Sequence, residues 1–226
     1  FVPVKSAALL CLALLSGCSQ GPEGPSLQLE MFQLVSQRIA SIGSTTPPER
    51  QPLTRAGLDT VEGAYIEVTL ENTDIFAYLS QQLVRRDTNA GQIVVWRSED
   101  NITLALRSGV LIATRGLGDD LLSASAQVVG TRPGPARGGG RTFQIRGLDN
   151  KQQTLRMACA LQDLGADPVE IVGILYPTRH LKERCEGGGG VVQNDYWIDY
   201  RSGRVWQSRQ WGGPTIGYLR IRQLTI

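Results

Sequence analysis

Residues 102–114 read Ile-Thr-Leu-Ala-Leu-Arg-Ser-Gly-Val-Leu-Ile-Ala-Thr. Two apolar, β-branched-rich runs, Ile102 to Arg107 and Val110 to Thr114, flank the dipeptide Ser108-Gly109. A two-residue loop ending in glycine between such runs predicts an antiparallel hairpin, because its positive φ angles match the twist of the flanking strands. Working outward, the same grammar recurs. Tyr196 to Tyr200 and Arg204 to Arg209 are joined by Arg201-Ser202-Gly203, and Ala64 to Leu70 alternates Tyr65, Glu67 and Thr69 against Ile66, Val68 and Leu70. Further strands are predicted at Ile93 to Trp96, Thr142 to Arg146, Leu155 to Leu161, Val169 to Leu175 and Tyr218 to Ile226. The stretch Leu155 to Leu164 also fits a helix by the spacing of Leu155, Ala158 and Leu161. The glycine runs Gly138 to Gly140 and Gly187 to Gly190 read as mobile loops. Many short strands with Gly and Pro turns predict a mostly β fold, an antiparallel sandwich or partly open barrel.

The amino-terminal part reads differently. Lys5, the apolar run Ala7 to Leu15, then Ser16 and Gly17 ahead of Cys18, form a signal peptide ending in a lipobox; the run is too short for the roughly 18 to 20 residues of a spanning helix. Leu15-Ser16-Gly17-Cys18 resembles the bacterial lipoprotein signal, which implies cleavage before Cys18 and its lipidation with diacylglycerol and an N-acyl chain such as palmitate. Several acyl chains hold a protein on a membrane far better than one. Ser19, in place of the aspartate associated with inner-membrane retention, favours the periplasmic face of the outer membrane. Residues 1–17 are thus the signal peptide, 18–25 the lipidated cysteine and tether, and 26–226 a single β-rich periplasmic domain. Leu27, Met31, Val35, Ile39 and Ile42 place one amphipathic helix at its start, before the Thr-Thr-Pro-Pro stretch.

Composition excludes several functions. The chain has 226 residues, 41% hydrophobic and 19% charged, which describes a folded protein. With 23 basic and 21 acidic residues its formal charge is +2, so there is no electrostatic footprint of a nucleic-acid binder. A single histidine excludes multi-histidine metal sites, and no metal or cofactor is expected. With Cys11 removed and Cys18 lipidated, Cys159 and Cys185 remain as an even pair, read as a disulfide in an oxidising periplasm. Two free thiols or a metal site are the rival readings, the latter a weak zinc signature without further His or Cys.

Candidate catalytic groups are few. His180 has Glu183 three residues on, but nothing like a nucleophile elbow accompanies it, and a surface histidine is the simpler reading. Asp119 and Asp120 are adjacent in a Gly-rich turn, where neighbouring carboxylates point apart; a turn or helix cap accounts for them better than glycoside hydrolysis. Aromatic residues gather at the carboxyl end: Trp197, Trp206, Trp211, Tyr196, Tyr200 and Tyr218. An exposed row would stack against sugar rings, whereas core packing is the ordinary use of such residues. Arginine outnumbers lysine 20 to 3, and its planar fork suits carboxylates of acidic polysaccharides; Arg115 and Arg209 join Trp197, Trp206, Trp211, Tyr196 and Tyr218 as candidates for glycan or partner binding.

Several segments together resemble one family. Leu106-Arg107-Ser108-Gly109-Val110-Leu111 with Thr114-Arg115-Gly116-Leu117-Gly118-Asp119-Asp120-Leu121, then Asn194 to Asp199, Gly203 to Trp211, Pro214 and Ile216 to Leu219, are similar to the YjbF family of lipoproteins, also called the group 4 capsule polysaccharide lipoprotein family. The lipobox and the cysteine pair extend the likeness over nearly the whole chain. The resemblance implies a non-enzymatic accessory in production or export of a capsule or extracellular polysaccharide, beside an outer-membrane β-barrel export protein as partner, with the polysaccharide itself as a further candidate ligand. A polysaccharide-modifying enzyme using Asp119 or Asp120 with Glu183, and a purely structural envelope lipoprotein, are the alternatives.

Overall fold

A computed structural model describes residues 52–146 and 151–226. The expected signal peptide, Cys18, the tether and the amphipathic helix all lie outside the described residues. Fourteen strands are described: β1 (Tyr65–Leu70), β2 (Ile75–Arg85), β3 (Ile93–Arg97), β4 (Thr103–Arg107), β5 (Val110–Arg115), β6 (Leu121–Ala124), β7 (Gly139–Arg146), β8 (Gln152–Ala166), β9 (Val169–Ile171), β10 (Ile174–Tyr176), β11 (Arg179–Gly187), β12 (Gly190–Asp199), β13 (Arg204–Gly213) and β14 (Gly217–Gln223). One short helix, α1 (Arg55–Asp59), precedes them, its first turn capped by Thr54, whose hydroxyl accepts from the Gly57 N–H.

Twelve strands form one antiparallel sheet in the order β5-β4-β3-β2-β1-β14-β13-β12-β11-β8-β7-β6, and β9 pairs with β10 in a separate hairpin. The sheet curls until its two end strands meet, giving a nearly closed barrel. The expected hairpin is present: Ser108 (φ 49°) and Gly109 (φ 85°) make the turn between β4 and β5. Alternation puts Ile66, Val68, Leu79, Trp96, Leu104, Phe143, Ile145, Leu219 and Ile221 inside, in one core.

The sheet is closed by side chains where a backbone ladder would otherwise run. Arg115 of β5 donates to the carbonyls of Leu121 (3.2 Å) and Leu122 (3.1 Å) on β6, and the Leu121 N–H donates to Thr114 Oγ1 (3.0 Å). Farther along β5, the Leu111 N–H donates to Gln210 Oε1 from across the interior (2.7 Å). These contacts satisfy edge groups that would be costly to bury unpaired.

Leu155 to Leu161 is strand as expected, and the helical alternative for Leu155 to Leu164 is not adopted, the whole stretch belonging to β8. Two other expectations are corrected. Val169 to Leu175 is not one strand; Val172 and Gly173, both at positive φ, turn it back as the β9–β10 hairpin. The glycine runs are structured: Gly139 and Gly140 begin β7, and Gly187 pairs with Gly190 around a Gly188-Gly189 turn with φ of 59° and 83°.

Cys159 on β8 and Cys185 on β11 lie directly opposite and are bonded, with Cα atoms 3.9 Å apart. Closing a loop across a sequence separation of 26 contributes about 3 to 4 kcal/mol in the chain-entropy model. Cys159→Ser with Cys185→Ser is therefore expected to lower unfolding free energy by about that amount while the barrel stays folded, read by urea denaturation of both proteins.

Candidate functional site

Three places gather polar or aromatic side chains. The first is the barrel mouth, where the ends of β2, β4, β12 and β14 and the starts of β1, β3, β5 and β13 come together. The segment between β6 and β7 folds over one side of this end: Ala126 and Val128 pack on Val110, Leu181, Tyr196 and Ile198, and the Gly134 N–H donates to the Ser108 carbonyl (2.6 Å). Gly134 has φ +71°, and a Cβ there would sit 2.3 Å from Ile198 Cδ1, so glycine is required for this approach. The other side stays open as a cavity of about 820 Å³.

Apolar residues Ile66, Trp96, Leu106 and Ile221 line this cavity and are buried; Gln81 and Gln92 line it and are exposed. The Trp96 indole N–H is buried without an acceptor. At the rim, Arg107 holds Asp87 in a two-pronged pair (Nη1–Oδ1 2.9 Å, Nη2–Oδ2 2.5 Å), and hydrogen bonds from Arg107 and from the Asn89 N–H hold the Asp87 carboxyl well below the usual carboxylate range. Two other arginines line the cavity, Arg86 and Arg204, and neither has an ion-pair partner among the described residues.

The second place is a buried polar network inside the barrel. Arg141 of β7 pairs with Glu183 of β11 (2.6 Å), both side chains at most 2% exposed. Glu183 Oε2 also accepts from Asn194 Nδ2 (2.9 Å), and the Arg141 Nε donates to the Ser125 carbonyl (2.9 Å). Gln210 accepts from Tyr196 Oη and donates to the Gly109 carbonyl (2.8 Å); burial pushes the Tyr196 phenol well above its ordinary pKa, which keeps it a donor. Cys159 and Cys185 have sulfurs within 4.8 Å of the Glu183 carboxylate, but bonded to each other they offer no thiolate to a metal.

The third is on the outer face. His180 stacks on its cross-strand neighbour Trp197 (centroids 4.4 Å apart, 11° between planes), with Nε2 2.7 Å from Asp195 Oδ1. The Trp197 N–H donates to Asp167 (2.7 Å). His180 and Glu183 therefore face opposite sides of the wall and do not form an acid-base pair. Asp120 caps its turn, accepting from the Thr114 hydroxyl and the Gly116 and Leu117 N–H groups, while Asp119 accepts from Thr215.

The aromatic and arginine candidates are dispersed rather than arranged in one row. Tyr196 is fully buried inside. Trp206 is the extra residue of a bulge in the β12–β13 ladder, which turns it outward, where the β9–β10 hairpin and α1 cover it: Tyr176 stacks on it at 3.5 Å, with Leu58, Val169 and Ile171 around. Trp211 packs edge-on against Phe143 (5.4 Å). Arg209 lies over the Tyr218 ring (3.6 Å) and pairs with Glu71 (2.8 Å), and Arg115 fastens β5 to β6. Sequence reasoning passed over Trp96, Arg86, Arg204 and Gln210; the inward register of Trp96 beside Val94 was the one local signal for any of them.

The chain matches the model of the family described as "Group 4 capsule polysaccharide lipoprotein gfcB, YjbF" over residues 26–224. No curated protein matches it. Among solved structures, the hypothetical lipoprotein YmcC from Escherichia coli (K12) is similar at a TM-score of 0.64 and 16% sequence identity, covering 90% of this chain and 98% of that one, which shows a shared fold. With a family match across nearly every described residue and a barrel shared with a lipoprotein, the chain belongs to the YjbF family of group 4 capsule polysaccharide lipoproteins.

Proposed function

We propose that this protein is a non-enzymatic accessory in production or export of a capsule or extracellular polysaccharide, lipid-anchored through Cys18 to the periplasmic face of the outer membrane and docked on an outer-membrane β-barrel. The family match over residues 26–224 is the observation that carries this reading. The carboxylates that a glycan-cleaving reaction would draw on also have other work: Glu183 is held by Arg141 and Asn194, and Asp119 and Asp120 by hydroxyl and backbone donors of neighbouring turns. Docking in this reading uses the outer surface of the wall, since the end strands β5 and β6 are already engaged with each other.

Crosslinking of the natively anchored protein in intact outer membranes, followed by mass spectrometry, tests the partner. A reproducible link to a large β-barrel is expected, and capture of glycan with no barrel overturns the docking. Asp119→Asn and Asp120→Asn are expected to leave polymer yield and length unchanged in cells whose deletion strain loses polymer. Altered polymer length with normal protein levels would instead establish an enzyme.

A further inference from the structure

We propose that the open side of the barrel mouth is a binding site for a short segment of an acidic oligosaccharide; this rests on the polysaccharide reading above and gives it a location. The cavity of about 820 Å³ lies within the range of small-molecule sites, about 300 to 1,000 Å³. One part of its rim is tightly packed. The Ser108-Gly109 turn is set by two positive φ angles, and a Cβ on Gly91 would meet Ser108 Oγ at 2.5 Å, so the β2–β3 connection is seated tightly against that turn.

The lining selects the ligand class. Ile66, Trp96, Leu106 and Ile221 offer the apolar surface against which the C–H faces of sugar rings pack. Gln81 and Gln92 bring carboxamides whose side chains have no hydrogen-bond partner among the described residues. An acyl chain of the same volume would strip water from these groups and return no hydrogen bond, which is unfavourable. A glycan is polar along its whole length and supplies hydroxyls to each.

The acidic preference comes from the rim. Arg86 and Arg204 have no counter-ion among the described residues, and Asp87 is not free to serve them because Arg107 holds both its oxygens. Two planar guanidinium groups beside a concave, partly apolar surface suit the carboxylates of a uronic acid better than a neutral hexose.

The test uses the full lipidated chain in nanodiscs, with trigalacturonate as probe and maltotriose and palmitate as comparators, read by titration calorimetry. Trigalacturonate is expected to bind, more weakly as salt rises, and Arg86→Gln with Arg204→Gln to weaken it roughly tenfold or more. Binding is also expected to change the indole fluorescence, and Trp96→Phe to remove that change while circular dichroism stays as in the parent. Equal affinity for maltotriose, uptake of palmitate alone, no binding of any probe, or trigalacturonate binding unaffected by the arginine pair would each overturn the proposal. Complementation separates it from the polysaccharide reading. A deletion strain with normal polymer refutes that reading; a defective strain fully restored by the double arginine variant refutes the mouth site alone.

Discussion

Arg141→Met is expected to lower the unfolding free energy by about 3 to 5 kcal/mol. The substitution removes the positive partner of Glu183 and leaves that carboxylate 1% exposed in its side chain, with one oxygen on Asn194 and the other on nothing. It also releases the Ser125 carbonyl, which accepts from Arg141 Nε. Arg141→Met combined with Glu183→Leu should recover much of the loss, because an apolar pair needs no compensating charge. Urea denaturation of the parent, both singles and the double gives the coupling as a cycle. A single-variant loss below about 1 kcal/mol would mean the pair is not desolvated as described.

Trp206→Ala is expected to cost about 3 to 5 kcal/mol, typical of emptying a large buried aromatic site. Trp206 is the centre of the layer outside the wall: without it Tyr176 loses its stacking partner, and the β9–β10 hairpin and α1 lose the surface that seats Leu58, Val169 and Ile171. Trp206→Phe should be far milder, since the ring is largely kept and the indole N–H, buried without an acceptor, is removed. Thermal melts of the two variants decide it. Equal destabilisation by both would show that the N–H has a role, and no destabilisation by Ala would show the residue is not packed.

The parts of the fold that were legible are those whose signal is local. Ser108-Gly109 and Arg201-Ser202-Gly203 carry turn chemistry within a few residues, and β1 alternates cleanly. β2 was passed over because the ladder slips between Gln81 and Leu83, which breaks its period of two. β11 was missed because its inward positions read Leu181, Glu183, Cys185, and a carboxylate interrupts the apolar pattern; its counter-charge arrives from β7, 42 residues earlier. β8 admitted a helical reading because Ala158 faces outward and only by chance completes the Leu155, Ala158, Leu161 spacing. Trp206 drew attention as a sugar-stacking candidate because the residues that cover it, Val169 to Tyr176, belong to a hairpin no local rule attaches to it. The mouth is the extreme case. Its lining comes from many separate stretches, from Gly63 to Ile226, and exists only once the sheet has curled.

That curling has a kinetic consequence. β1 is paired with β14, so Ile66 finds its partner in Gln223, while the hairpins β3–β4, β4–β5 and β12–β13 join near neighbours. Local hairpins form early, but the ring cannot be joined until the strand near residue 220 is available, and such high contact order slows folding. Until then the β1 edge, with Ile66 and Val68 beside it, presents unpaired backbone to any extended segment nearby. A chaperone that shelters an amino-proximal edge while the carboxyl end is still arriving would raise the yield of this protein more than one that shelters the finished barrel.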